Sequence, residues 1–469
     1  MKLNSPLQVY KYLPQINCAE CGDATCMAFA AHLIDRSKKL EDCPPLLKDE
    51  FKKKYLELES LLAPEVREII VGRGEHAKKI GGDDVLYRHQ LTFFNPTTFA
   101  YDVWDTMAEQ ELVDRINNIA NFRKFYVGKF LKVDMVAVRC VSGDALKFAS
   151  AVKKVSETTE LPLVLCSFDP AVLRAALEVV KDKNPLIYAA TEKNWGEVAE
   201  LALNYKVPVV LSSSDLDKLR SLALTFQEMG IKELILDPGT YPQGKQLKET
   251  FERCIKLRRA GIKEGQKDIA LPIMALPLSA WLVYNDAVTA SYWETVLASV
   301  FIVRYADIMI LHGLEPYAML PQVHLRDTIY TDPRTPVKVA PGVNEIGSPT
   351  KDSPVIITTN FALTYYTVES DLSSNKINCY IAAVDTDGIG VEAAVAGGQL
   401  TAAKIKDTFQ KAGFDFKEKT DHSTLILPGL AARLQGDVED VTGLRVMIGP
   451  PDSGRIPGWM EKNWPPKPK

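Results

Sequence analysis

Apolar positions fall into two repeating stretches along the chain. From about Leu91 to Leu325, short apolar runs are each followed by a polar turn and a helical stretch. The runs are Leu91–Asn95, Met135–Cys140, Leu163–Phe168, Leu186–Ala190, Val207–Ser212, Glu233–Asp237, Ile273–Leu278 and Ile308–Leu311. Continuous apolar strands alternating with helices predict a parallel sheet covered on both faces. Eight such units fit a closed, TIM-like (β/α)8 barrel better than an open sheet. A second series begins at Pro354, with strand candidates Val355–Thr359, Cys379–Asp385, Thr424–Leu427 and Leu444–Ile448. Helices between them start near Phe361, Gly390 and Leu430. Four strands are too few for a barrel and predict an open, doubly wound sheet.

The N-terminal stretch has neither pattern. Ser5-Pro6-Leu7-Gln8 has the form of a helix start. Pro14 ends that helix, Met27 to Lys38 is Ala-rich and helical, and Lys48 to Leu62 is a charged amphipathic helix. The expected order is therefore a small module at 1–56, a helix and connection at 57–90, the barrel at 91–327, a linker at 328–353, and a C-terminal α/β domain at 354–469. The linker assignment rests on Asp332-Pro333, Thr335-Pro336, Pro341-Gly342 and Ser348-Pro349.

A length of 469 residues agrees with about three domains at roughly 150 residues each. Lys and Arg number 56 against 60 Asp and Glu, so there is no basic excess to replace the counterions of a nucleic acid. The most apolar stretch, Val296 to Leu311, is interrupted by Arg304 and Asp307, which argues against a membrane span. The N-terminus lacks the form of a secretory signal. Together these predict a cytoplasmic protein.

Of eight cysteines, four lie between Cys18 and Cys43. Their spacing is C-x2-C-x4-C-x16-C, from Cys18, Cys21, Cys26 and Cys43. Three close thiolates and one distant thiolate can wrap a cubane 4Fe-4S cluster. Gly22 relieves crowding beside the metal. Cys26 opens a helix whose N-terminal amides favour a thiolate. The alternative is a zinc knot on the same cysteines. Zinc sites usually pair two C-x2-C knuckles, and the second is absent, which favours iron and sulfur.

A doubly wound sheet binds ligands beyond the carboxyl ends of its strands. Four such ends carry unusual residues: Thr358-Thr359-Asn360-Phe361, Asp385-Thr386-Asp387-Gly388-Ile389-Gly390, Leu427-Pro428-Gly429-Leu430 and Gly449-Pro450. Glycines there permit close backbone approach to a ligand, and helix N-termini suit an anion. Gly388 and Gly390 lack a third glycine at dinucleotide spacing, so a nicotinamide site is a weak reading. A helix expected over Val391 to Ala412 contains Gly397 and Gly398, which predict a close neighbour, either a ligand tail or a packed strand.

Two motifs carry a resemblance. Leu13-Pro14, Ile16-Asn17-Cys18-Ala19-Glu20-Cys21-Gly22 and Cys26-Met27-Ala28-Phe29-Ala30 resemble the Fe–S domain of large subunits of the corrinoid iron–sulfur protein. Asp385-x-Asp387-x-x-Gly390 resembles the D-x-H-x-x-G loop of cobalamin folds, with Asp at the His position. Ser423-x-Leu425 and Gly449-Pro450 loosely echo the later elements of those folds. The chain from Thr359 to Trp459 is similar to the corrinoid domain of this family. The resemblance covers nearly the whole chain, and its texture is that of the archaeal members that serve acetyl-CoA decarbonylase/synthase.

The resemblance implies a methyl carrier. A corrinoid Co(I) takes a methyl group from a methyl-tetrahydropterin (tetrahydrosarcinapterin or tetrahydrofolate) and passes it reversibly to the nickel site of acetyl-CoA synthase. The low-potential 4Fe-4S cluster restores reduced cobalt. Cobalt, not a protein side chain, is then the reactive centre. The implied corrinoid contacts are Thr359, Asn360, Phe361, Thr364, Asp387, Gly388, Ile389, Gly390, Val391, Leu427, Pro428, Gly429, Leu430, Gly449 and Pro450. Asp387 either leaves the lower cobalt face without a donor or caps the following helix. Implied partners are a smaller barrel subunit, the acetyl-CoA synthase subunit and an electron donor such as ferredoxin, with no nucleic acid and no membrane. The resemblance makes the barrel mainly a cap or docking surface, although its expected strand ends carry Asn95, Asp169, Asn194, Asp237 and His312. His312 and His32 are expected to be structural, and Lys52, Lys53 and Lys54 a solvated helix face. The alternative function is an iron–sulfur electron-transfer subunit with a flavin or nucleotide on the C-terminal sheet.

Overall fold

The computed structural model describes residues 3, 5–87, 95–331 and 336–465. It divides into two compact units: 1–122 with 132–331, and 123–131 with 332–469.

The first unit begins with the cysteine module. Its helices are Pro6–Tyr10, Cys26–Ile34 and Lys52–Leu62. Val9, Leu13, Phe29, Leu33, Leu46 and Leu58 form its core, and Cys26 and Cys43 are buried with them. The predicted charged helix starts later than Lys48, because a 3-10 turn at Asp49–Phe51 precedes it.

The segment after this helix contains an antiparallel hairpin, β1 (Glu68–Val71) and β2 (Lys78–Gly81). Strand β3 (Thr98–Trp104) follows. A second small hairpin, β4 (Lys124–Tyr126) and β5 (Lys129–Leu131), belongs with the other compact unit. The remaining parallel strands are β6 (Met135–Arg139), β7 (Leu163–Cys166), β8 (Leu186–Ala190), β9 (Val209–Ser212), β10 (Leu234–Asp237), β11 (Met274–Ala275) and β12 (Ile308–Leu311).

Pairing runs β10-β9-β8-β7-β6-β3-β12-β11, and a parallel bridge from Leu236 to Ile273 closes the ring. This is the eight-stranded barrel. Its interior holds Ala100, Met135, Val164, Leu186, Val210, Ile235 and Ile308, all buried. Each of the larger side chains contributes on the order of 2 kcal/mol by leaving water. Ile69, Val71 and Ile80 of the first hairpin join this interior cluster. The hairpin bonds loops that enter the strands, through Arg67 N–H to Ala270 O and Gly72 N–H to Asn184 O, both 2.9 Å. It therefore plugs the amino-terminal end.

One expectation is corrected. The first barrel strand is Thr98–Trp104, not Leu91–Asn95. Residues 91–94 lie outside the described residues, and Asn95 is in a bend. Asp102 interrupts the apolar run of β3 and hid it. That aspartate is tolerated in a buried strand because Arg115, Arg139 and His312 surround it.

The second unit holds β13 (Gly342–Ile346), β14 (Val355–Thr359), β15 (Cys379–Val384), β16 (Thr424–Leu427) and β17 (Arg445–Ile448). Their order is β13-β15-β14-β16-β17. Four are parallel, and β13 is an antiparallel edge. The segment expected to be linker thus supplies an edge strand. Its apolar positions, Val343 and Ile346, are too few to stand out. Helices cover both faces over separate cores, as doubly wound sheets require. The helix expected over Val391–Ala412 is two helices, Val391–Ala396 and Ala402–Lys411. Gly397 caps the first and Gly398 turns left-handed at φ 74°. The glycine pair is a helix stop, and no strand packs against it. No helix among the described residues is long and apolar enough to cross a membrane.

Candidate functional site

The cysteine loop winds through left-handed backbone at Asn17, Ala19 and Gly22. Asn17 Oδ1 accepts the Cys26 N–H at 2.8 Å, and Thr25 caps the helix that Cys26 opens by accepting from Ala28 N–H. Lys38 Nζ donates to Cys21 O at 2.6 Å and pairs with Asp23 at 2.9 Å. His32 bonds the same Asp23 at 3.1 Å, which is the structural role expected of it. Cys18, Cys21, Cys26 and Cys43 line one small cavity with Pro14, Phe29 and Pro45. Burial pushes the Cys43 thiol up, and the other three thiols add to the shift. Four mutually repelling thiolates call for a cationic core. Among the described residues, no three His, Cys, Asp or Glu side chains come together closely enough to hold a single metal ion; a cubane cluster instead takes one thiolate at each of its four irons, so its ligands stand further apart.

The C-terminal sheet opens at its strand ends into an apolar cavity of about 320 Å³. It lies between the ends of β14 and β16 and the helices Ala362–Ser374 and Ile456–Asn463. Of the implied contacts, Thr364, Val391, Leu427, Pro428, Leu430, Gly449 and Pro450 line it. Thr359, Asn360, Phe361, Asp387, Gly388, Ile389, Gly390 and Gly429 do not. Thr358, Leu363, Thr367, Ile456 and Trp459 also line it. Leu363 and Thr367 stand four residues apart on one helix face, a signal that was readable once the helix was placed. Thr358 Oγ1 is buried on the cavity wall without a partner among the described residues. An orphaned hydroxyl costs about 1–3 kcal/mol, so the wall suits a ligand that supplies a hydrogen-bonding atom.

Beside the cavity, Asn360 is an anchor. Its Oδ1 accepts Thr386 N–H and Gly388 N–H, both at 3.0 Å, and Thr386 Oγ1 at 3.2 Å. Its Nδ2 donates to Asp385 Oδ1 at 3.2 Å. These bonds hold the 385–390 loop in shape. Asp387 sits at φ 58° with its carboxylate exposed, 3.9 Å from Lys338 Nζ. It does not cap the next helix, whose N-cap is Gly390 without a side-chain bond. The glycines here serve packing. A Cβ on Gly388 would meet Pro336, and one on Gly429 would meet the Gly449–Pro451 backbone at 2.7–2.9 Å. His422 is the one histidine of this unit's sequence. Its Nε2 bonds Ser353 O and its Nδ1 accepts Thr424 N–H, at the far end of β16. No imidazole therefore stands at the strand ends of this unit among the described residues.

At the carboxyl ends of the barrel strands lies a second polar group. Asp102 of β3 is fully buried. It pairs with His312 Nδ1 at 2.8 Å, Arg115 at 2.9 Å and Arg139 at 2.7 Å. Burial alone would raise its pKa, but His312 and the two guanidiniums hold it below the usual carboxylate range. Glu294 accepts the His312 and Gly313 N–H groups at 2.6 and 2.8 Å. Burial pushes Glu294 up to about 7. The sequence signal for Asp102, Arg115, Arg139 and Glu294 was absent, because each lies on a different element. Asp237 belongs to a separate knot with Tyr188 and Ser212 at 2.8 and 2.9 Å. Asp169 caps a helix, and Asn194 ties its own loop through Phe168 O and Ala189 O. Asn95 is not at a barrel strand end. It bonds Glu68 and Gly81 at the base hairpin.

A four-cysteine module, a parallel barrel and a doubly wound sheet with a strand-end cavity define a multidomain α/β protein. Residues 68–460 match the family model described as "CO dehydrogenase/acetyl-CoA synthase delta subunit", and residues 13–45 match "Putative Fe-S cluster". The chain belongs to the CO dehydrogenase/acetyl-CoA synthase delta subunit family. It is 66% identical over 470 residues to the acetyl-CoA decarbonylase/synthase complex subunit gamma of Methanosarcina acetivorans, covering 100% of both chains. The same identity and coverage relate it to subunit gamma 1 of Methanosarcina thermophila. Among solved structures, dihydropteroate synthase (FolP) from Thermus thermophilus is similar over 52% of this chain and 96% of its own, at 13% identity and a TM-score of 0.37. That likeness is too slight to add to the strand pairing.

Proposed function

We propose that this chain is the corrinoid- and cluster-bearing methyl carrier of an acetyl-CoA decarbonylase/synthase complex. It receives a methyl group from a methyl-tetrahydropterin and delivers it to the nickel site of an acetyl-CoA synthase subunit, reversibly. The observation that carries the reading is the full-length match, at 66% identity, to subunits named gamma of that complex. The four cysteines and the histidine-free strand ends support it.

Cys18, Cys21, Cys26 and Cys43 would hold the 4Fe-4S cluster, with the amides at the start of the Cys26 helix offsetting its negative charge. The cavity at Thr358, Thr364, Leu430 and Trp459 would take one part of a corrinoid, because about 320 Å³ is smaller than such a cofactor. The Asn360-anchored 385–390 loop would border the rest. A bound corrinoid supplies the nucleophile and methyl carrier, and the cluster supplies single electrons. The chain orients the cofactor and withholds an imidazole from cobalt, since Asp387 stands where cobalamin loops carry histidine. A smaller barrel subunit, the synthase subunit and an electron donor of the ferredoxin type are the proposed partners.

The test is cobalt and iron per chain in protein purified without oxygen from its host. About one cobalt and four irons are expected, followed by methyl transfer from a methyl-tetrahydropterin. Iron without cobalt, in protein shown to be intact, overturns the methyl carrier and favours an electron-transfer subunit.

A further inference from the structure

The polar group in the barrel takes no part in the methyl transfer proposed above. It stands at the carboxyl ends of β3, β6 and β12, where barrels of this kind place their reactive sites. Two features distinguish it from a purely structural ion network. The first is unspent donors. Arg139 gives only its Nε to Asp102. Among the described residues its two terminal nitrogens make no hydrogen bond, and the side chain is 31% exposed. His312 gives Nδ1 to Asp102 and keeps Nε2 without a partner among the described residues, on a ring that is 20% exposed.

The second feature is charge. Arg115 and Arg139 bring two positive charges to the one buried carboxylate of Asp102. Glu294 does not restore the balance. Both of its oxygens are occupied by backbone N–H groups, and burial lifts its carboxyl to about 7, so near neutral pH it carries only part of a charge. Asp105, just beyond β3, is held below the usual carboxylate range, despite its burial, by Val141 N–H, Ser142 N–H and Ser142 Oγ, so its charge offsets the second guanidinium while its oxygens stay with those donors. Arg115 is turned inward, with Nε on Asp102 O and Nη2 on Asp102 Oδ1 and His312 O. No carboxylate among the described residues bonds the terminal nitrogens of Arg139, so the outer edge of this guanidinium is the donor edge open to a ligand.

The surroundings are apolar and aromatic. Trp281 packs edge-on against His312 with centroids 4.3 Å apart, and Trp104 stacks on the same ring at 5.6 Å. Arg139 pairs in register with Cys166, and two residues beyond it Phe168 is 58% exposed. Leu282, next to Trp281, is 82% exposed.

We propose that the carboxyl-terminal mouth of the barrel is a second small-molecule site that binds an organic oxyanion, a carboxylate or phosphate on an apolar or aromatic body. Arg139 grips the anion with its free guanidinium edge, which suits two oxygens at once. His312 Nε2 donates or accepts the third bond, held in place by Asp102 and by Glu294 through its backbone. Phe168 and Trp281 contact the body. The site uses residues of the first compact unit alone and does not depend on a corrinoid.

The test uses the full-length protein with histidines labelled at Cε1, titrated with benzoate, phenyl phosphate and inorganic phosphate. A saturable shift of the His312 resonance is expected with at least one aromatic probe and at least tenfold weaker with inorganic phosphate. Which aromatic probe binds tighter assigns the ligand as carboxylate or phosphate. Arg139→Gln is expected to weaken binding at least tenfold while the other histidine resonances stay in place. If R139Q does not fold, Arg139→Lys keeps the charge and loses the two-pronged edge, and is expected to weaken binding several-fold. No saturable shift with any probe, equal binding of inorganic phosphate, or binding unchanged by the foldable Arg139 variant overturns the proposal.

Discussion

The barrel and the C-terminal sheet both present the carboxyl ends of parallel strands, yet they fill them in opposite ways. The barrel end is a charged network: Asp102 is buried under His312, Arg115 and Arg139. The sheet end is an apolar cavity of about 320 Å³ with an orphaned hydroxyl on its wall. The same backbone geometry therefore does not dictate the chemistry. A closed ring places its strand ends around one centre, where charges from several strands meet and must compensate each other. An open sheet leaves a crevice beside its strands, which apolar helix faces can line.

The sharpest break of this comparison is Asp102→Asn. It leaves two guanidiniums facing a neutral amide, and removing one partner of a buried pair costs about 3–5 kcal/mol. Denaturant unfolding of the barrel checks this; a loss under about 1 kcal/mol, the range of exposed pairs, would mean that water already shields the network. The next effect concerns Glu294. Its folded pKa, about 7, lies above the ordinary value near about 4.3, so the folded state holds the proton more tightly than the unfolded one. Its protonated form favours folding, and that contribution is full below about 4.3 and lost as pH rises toward about 7. Glu294→Gln is expected to remove up to roughly 3 kcal/mol of this pH dependence, read as a flatter stability curve between those two values.

On the sheet side, Asn360→Ala deletes the acceptor for two backbone N–H groups of the 385–390 loop and is expected to cost about 2 kcal/mol. Hydrogen exchange at Thr386 and Gly388 should rise with it. Thr358→Val is expected to leave the cofactor-free protein as stable or up to about 1 kcal/mol more stable, because the lost hydroxyl has no partner. Corrinoid retention on gel filtration should fall. Falling stability instead would show that the hydroxyl is already satisfied. Asp387→Asn is the smallest change, within about 0.5 kcal/mol, because its ion pair with Lys338 is exposed and 3.9 Å long and asparagine tolerates the same left-handed backbone.

That the four cysteines belong together was legible from spacing alone, and they line one cavity. Seven of the barrel strands and four strands of the sheet were legible because strands buried on both faces are continuously apolar. β3 was not, since Asp102 breaks its run and its neutralisers come from three other elements. The β13 edge strand was not, since an edge needs few apolar positions. The strand ends of the sheet were found by rule, but the rule did not separate cavity wall from support. Thr364, Val391, Leu427, Pro428, Leu430, Gly449 and Pro450 line the cavity, whereas Asn360 holds a loop and Gly429 admits a crossing backbone.

The sequence alone determined the classes of element, the domain order, the thiol set and the absence of histidine from the 385–390 loop. Each depends on residue type and on short spacings, which covalent structure sets directly. Tertiary structure alone decided which strand opens the barrel, which residues wall the cavity, and that Asp102, Arg115, Arg139, Glu294 and His312 converge. Those residues lie far apart along the chain, and only the closure of eight strands into a ring brings them within hydrogen-bond distance.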